Sequence, residues 1–213
     1  MVFGKIEYLN LLPFHVFIKR FNRSSRENMT MEYKKNVPAK INVLFERRRV
    51  DAAFISSIKA KKYKYAKLGI IAKKEVLSVL VIPQDEYKKD TASATSNLLA
   101  NILGIKGEVL IGDRALEYYL SGGPHIDLAK TWNDKHHLPF VFALLSYRNH
   151  GSRIKKIEKH FSKAKVRIPG YILQKASKKT GISQKDILSY LKKISYNLDK
   201  KASLGLKKFY TLS

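Results

Sequence analysis

The 213-residue sequence contains no cysteine, which excludes disulfides and thiolate chemistry. It is short of acid: 17 Asp and Glu stand against 42 Lys and Arg, a formal net charge of +25. No apolar run reaches the roughly 18 residues that span a bilayer. The longest candidate, residues 68–83, is broken by Lys73, Lys74 and Glu75, so no membrane span is expected. Residues 109–113 lack the glycines of a dinucleotide motif or a phosphate-binding loop. The six histidines (His15, His125, His136, His137, His150, His160) show no metal-ligand spacing. The N-terminal residues lack the charged-then-apolar order of a signal peptide. Together these absences point to a cytoplasmic protein with no metal site.

What is present is an ordinary globular composition, 45% hydrophobic, in a chain long enough for one large domain or two small lobes. The basic excess is uneven. Residues 1–150 hold 25 basic and 14 acidic residues; residues 151–213 hold 17 and 3. Such a balance invites a nucleic-acid reading. The cations are scattered along helical faces, as in residues 155–159 and 192–194, and neither an RNP-like aromatic strand nor a zinc finger occurs. A nucleic acid is therefore not the expected partner. A positive field does attract small anions.

Hydrophobic periodicity divides the chain into alternating elements. Strands are predicted over residues 3–9, 29–33, 50–55, 68–72, 76–83, 107–112 and 140–145. Helices are predicted after Pro13, from Pro38, after Ser57, over 93–104 and 115–120, near 128–132, and through most of 152–212. Asp113 is the expected N-cap of the helix at 115–120. Strands alternating with helices imply an α/β fold with mostly parallel sheets flanked by helices. Two βα clusters imply two lobes. One comprises residues 1–84 plus 147–213 and the other residues 85–146, with a cleft between them and a helical C-terminus. Crossing strands between lobes suit hinge closure on a ligand.

Three polar turns lie between strand-like and helix-like runs: Tyr8-Leu9-Asn10-Leu11-Leu12-Pro13, Ile55-Ser56-Ser57-Ile58 and Ser93-Ala94-Thr95-Ser96. In a fourth segment Ser78 interrupts an apolar run, Val76 to Val81. Backbone amides at helix starts, helped by Ser, Thr and Asn, hold carboxylates. Several such turns in one cleft would bind a small organic acid, with Ser56, Ser57, Thr95 and Ser96 on its carboxylates. The same residues also serve as plain turn and cap residues, the plainer reading of Asn10, Ser56 and Ser93 to Ser96 taken singly.

Six segments in order resemble the chorismate dehydratases of the futalosine-type menaquinone pathway. They are Tyr8 to Pro13, Asp51 to Ile58, Val76 to Val79, Ser93 to Ser96, Val109 to Leu116 and Leu138 to Ala143. The resemblance runs from residue 3 to about 145. Ala94 departs from it, since the family often has arginine there. The resemblance implies the two-lobed fold of periplasmic binding proteins, with the ligand between lobes. It implies dehydration of chorismate to 3-[(1-carboxyvinyl)oxy]benzoate, without a cofactor, and makes Asn10 and Ser78 the residues that matter for turnover. Tyr8, Ser56, Ser57, Ser93, Thr95 and Ser96 are then the substrate-binding set.

The motif residues include no carboxylate or imidazole base; they are neutral hydrogen-bonding groups. The substrate's own enolpyruvyl carboxylate is then the expected proton acceptor. Two alternatives remain open on sequence: a non-catalytic binding protein or sensor for a small aromatic acid, and a nucleic-acid-binding protein. Fold alone does not separate binding from catalysis.

Overall fold

The computed structural model describes residues 1–24 and 32–213. The chain opens with β1 (Val2–Lys5), a 3-10 turn (Leu9–Leu11) and α1 (Leu12–Ser24), then β2 (Glu32–Lys35), α2 (Pro38–Glu46), β3 (Ala52–Ser56) and α3 (Ser57–Ala60). Next come β4 (Lys64–Ala72), β5 (Val79–Pro83), β6 (Tyr87–Lys88), α4 (Ala94–Leu103), β7 (Gly107–Ile111), α5 (Gly112–Leu120), β8 (Ile126–Asp127), α6 (Leu128–His136) and β9 (Phe140–Tyr147). The C-terminal part is α7 (Gly151–Phe161), α8 (Gly170–Thr180), α9 (Gln184–Leu191), β10 (Ile194–Asn197) and α10 (Lys200–Leu212).

Local chemistry explains most boundaries. Pro38 sits at the start of α2, where its missing N–H is not needed. Ser93 caps α4 by accepting from the Ser96 amide, and Gly104 ends it in the left-handed conformation. Ser183 caps α9 in the same way through the Asp186 amide. Three expectations change. The strand predicted over 3–9 ends at Lys5, because residues 9–11 wind into a turn. Asp113 lies inside α5 and accepts from the Leu9 amide at 2.9 Å instead of capping the helix. Residues 194–197, read as helical, form edge strand β10 against β4. Of the strand predicted at 29–33, residues 29–31 lie outside the described residues.

The strands form two sheets. The larger has the order β10-β4-β9-β3-β1-β2 and the smaller β6-β7-β5-β8. The sheets are mixed, which corrects the mostly parallel arrangement expected from sequence. Parallel pairing joins β1 to β2 and β3, and β6 to β7. The pairs β3–β9, β4–β9, β10–β4, β5–β7 and β5–β8 are antiparallel. In the larger sheet β9 returns from the smaller sheet and enters between β3 and β4 pointing the opposite way, and β10 adds a second reversal at the edge; in the smaller sheet β5 runs against both its neighbours. Alternation of strand and helix in sequence records connectivity, not the direction in which a returning strand enters.

All five residues of β3 are buried, as befits a central strand covered on both faces. The aromatic core joins N-terminal and C-terminal parts: Phe14 meets Phe54 and Phe161 edge-on at 4.9 and 5.2 Å, and Phe140 meets Phe209 at 5.0 Å. On α7, Ile154 and Ile157 are buried while Lys155, Lys156 and Lys159 face water. Most of the basic excess of this helix is therefore a solvated face.

One buried base couples the core to pH. The His15 side chain on α1 donates from Nε2 to the Ile6 carbonyl at 2.7 Å, and its Nδ1 is buried without a partner. Burial lowers its pKa from 6.5 to about 4. Between those values the unfolded chain binds the proton and the folded protein does not. Stability is therefore full above pH 6.5 and falls with acidification by up to about 3 kcal/mol near pH 4. In urea titrations at several pH values, His15→Gln should remove this portion of the acid sensitivity. An unchanged difference between pH 6.5 and 4 would refute the assignment.

Candidate active site

A cavity of about 70 Å³ lies between the two sheets. Its polar lining is Tyr8, Asn10, Ser56, Ser78, Ser93 and Ser96. Apolar residues of both sheets complete it, among them Phe54 and Phe142 of the larger and Val79 and Ile111 of the smaller. No lining residue is a carboxylate, an imidazole or a cation. Six of the eight residues singled out from sequence are thus brought together.

The other two, Ser57 and Thr95, do not line the cavity. They are fully buried and bonded to each other, Oγ to Oγ1, at 3.3 Å, and Thr95 Oγ1 also accepts from the Ile58 amide at 3.3 Å. This pair ties the start of α3, which follows the larger sheet, to α4 of the smaller. The Ser57 carbonyl accepts from the Tyr210 hydroxyl at 2.8 Å.

Each lining side chain is held from behind. Ser56 receives the Asn42 amide on its Oγ at 2.9 Å, and its own N–H donates to Asn42 Oδ1 at 3.2 Å. Its amide is therefore spent on α2, while its hydroxyl proton is left for the cavity. Ser93 Oγ donates to Ser96 Oγ at 2.7 Å. Ser93 thus acts as helix cap and cavity wall, and Ser96, whose amide it caps, shares the wall. The turn that carries Tyr8 and Asn10 is anchored by the Asp113 bond to the Leu9 amide. Gly112, at φ +67°, sits against the Tyr8 ring; a Cβ there would meet ring carbons at 2.8 Å. A side chain at 112 would displace Tyr8 from the wall. Burial, helped by Asp90 and Asp113, pushes the Tyr8 phenol up to about 12, so it stays protonated at neutral pH.

Ser78 is the most constrained. Its carbonyl accepts from the Gly112 amide at 2.8 Å. The preceding residue, Leu77, is left-handed at φ 61°, a costly conformation for a side chain of this size. Asp127 holds it there. One carboxylate oxygen accepts from the amides of Val76 and Leu77 at 2.9 and 2.7 Å, and the other caps α6 through Ala129 and Lys130, both at 2.9 Å. The Ser78 hydroxyl oxygen accepts from the Tyr190 phenol at 2.8 Å. Asn10 lies close by: its carbonyl accepts from the Tyr196 hydroxyl at 2.7 Å, and its side-chain Oδ1 is buried without a partner. Among the described residues, no group of three His, Asp or Glu is placed to hold a metal ion.

A family model described as menaquinone biosynthesis matches residues 1–107 and 103–213. The chain belongs to this menaquinone biosynthesis family. A chorismate dehydratase of Campylobacter jejuni is 46% identical over 213 residues, covering 98% of this chain and 96% of the relative. Among solved structures, a protein of Archaeoglobus fulgidus superposes with a TM-score of 0.70 at 12% identity, covering 99% and 95% of the two chains. The periplasmic aliphatic sulphonate binding protein of Escherichia coli superposes with a TM-score of 0.64 at 13% identity, covering 99% and 91%. The fold is that of the periplasmic binding proteins, as the resemblance implied.

Asn42, Asp127, Tyr190 and Tyr196 were not singled out from sequence. Asp127 carried a legible signal, an aspartate just before the helix at Leu128. Tyr190 carried none: it follows Ile187 at helical spacing and reads as core. In this member of the menaquinone biosynthesis family the C-terminal segments α9 and β10 thus reach into the site.

Proposed function

We propose that the protein is a hydro-lyase that dehydrates chorismate to 3-[(1-carboxyvinyl)oxy]benzoate in menaquinone biosynthesis, as the first step of the futalosine-type route. The observation that carries this reading is full-length identity of 46% to a chorismate dehydratase. The site supports it. Chorismate bears a hydroxyl and a hydrogen on adjacent ring carbons. Breaking the C–H bond supplies the electron pair of the new ring double bond. The C–O bond breaks, hydroxide leaves with a proton as water, and the ring becomes aromatic.

Neutral polar side chains suit this chemistry. The guest is a dianion, and its enolpyruvyl carboxylate takes the ring proton when the arm is folded over the ring. Hydrogen bonds from neutral donors position that carboxylate yet leave it basic, whereas an arginine clamp would lower its basicity. Positioning of this kind is worth up to about 7–11 kcal/mol in the best intramolecular cases. Asn10 orients the substrate and Ser78 hydrogen-bonds the reacting region at the departing hydroxyl. Tyr8, Ser56, Ser93 and Ser96 contact the carboxylates and the ring. Ser57 and Thr95 act from behind, as a tie between the two halves.

The cavity is far smaller than the ~300–1,000 Å³ of typical small-molecule sites. We therefore take this conformation as closed, and assign one lobe to each sheet, parting to admit the guest. A cytoplasmic setting goes with this reading.

Incubation with chorismate tests it directly. Loss of the diene absorbance, with a product lighter by one water in the mass spectrum, is expected. Saturable binding of chorismate without any product would favour the sensor reading instead.

A further inference from the structure

We propose that Tyr190 is the positioning residue that sets hydrogen-bond polarity in the site, making Ser78 a donor toward the substrate. The inference rests on the dehydration reading above.

A phenol has one proton to give. The Tyr190 proton goes to Ser78 Oγ at 2.8 Å, in a fully enclosed position at 2% exposure. The bond therefore runs from Tyr190 O–H to the Ser78 oxygen. Ser78 lines the cavity, and Tyr190 stands behind it.

One consequence follows for the substrate. The Ser78 hydroxyl already accepts, so its own proton is the group it offers the guest. A donor at that point stabilises negative charge on a departing hydroxyl oxygen. Bonds in such a chain polarise one another, which strengthens the last donor. The phenol must stay protonated to hold this order. Burial raises its pKa, and Asp113 and Asp127 push the same way, while the bond to Ser78 opposes them. The remaining titratable neighbour, Tyr196, is itself raised by burial.

Tyr190→Phe keeps the ring and removes the hydroxyl. With chorismate, kcat should fall about 10–100-fold while KM changes by less than about threefold, a loss on the scale of a missing transition-state donor. Ser78→Ala should lose at least as much, and the double variant should lose no more than Ser78→Ala alone. Full additivity of the two losses, or wild-type kcat in Tyr190→Phe, overturns the proposal. If Tyr190→Phe does not fold, fluorinated tyrosine at position 190 provides the second arm. It keeps shape and the bond to Ser78 but makes the phenol more acidic. The alkaline limb of kcat should then move to lower pH, because an ionised phenol no longer donates to Ser78. An unmoved limb overturns the proposal equally. A wild-type protein that does not turn over chorismate overturns the dehydration reading itself; an active wild type with an unaffected variant sinks only the role of Tyr190.

Discussion

Asn10→Asp is expected to lower kcat/KM for chorismate about 1,000-fold with little change in melting temperature. The two side chains have the same shape, so the cavity keeps its outline. The charge is what changes. No cation lines the cavity to offset a new carboxylate, and the guest is a dianion. Two like charges about 4 Å apart repel by about 4 kcal/mol at an effective dielectric of 20, and each ~1.4 kcal/mol is tenfold in rate. Burial raises the pKa of such a carboxyl, so activity should partly return on acidification as the introduced group becomes neutral. Steady-state kinetics across pH would show a variant profile that rises toward acid where the wild type does not. Near-normal turnover at neutral pH would remove Asn10 from the reaction.

Asp127→Ala should be the most destabilising single change near the site, by about 3–5 kcal/mol in urea unfolding. The carboxylate serves four backbone amides: Val76, Leu77, Ala129 and Lys130. Losing a helix cap costs about 1 kcal/mol, and each buried amide left without an acceptor about 1–3 more. Two of those amides hold left-handed Leu77 in front of Ser78. The folded fraction of the variant should therefore lose about tenfold or more in kcat, with Ser78 no longer fixed against Tyr190. Asp127→Asn keeps one acceptor oxygen and should recover part of both losses. Wild-type stability in the alanine variant would show that water replaces the carboxylate, and that Leu77 holds its backbone unaided.

Legibility from sequence was uneven for physical reasons. Elements with strong local signals were readable: Ser93 and Gly104 bracket α4, and the unbroken apolar run of β3 marks a central strand. Strand direction was not, because β9 enters the larger sheet only after an excursion through the smaller one. Asn10, Ser56, Ser78, Ser93 and Ser96 stood out as polar residues at the ends of apolar runs, and the cavity gathers them. Ser57 and Thr95 looked the same in sequence, yet they turn toward each other. One residue along a turn is enough to reverse the direction of a side chain.

The amino-acid sequence by itself determined the alternation of elements, the lack of thiol chemistry and the neutral polar turns, together with the family resemblance. These are local or compositional properties, set by side-chain period, capping preference and residue type. Tertiary structure alone decided which polar groups meet across the cavity and which are spent behind it. It brought Asn42, Asp127 and Tyr190 onto site residues 14 to 112 positions away. A hydrogen bond needs two partners within about 3 Å, and no local pattern records a partner supplied by a distant part of the chain.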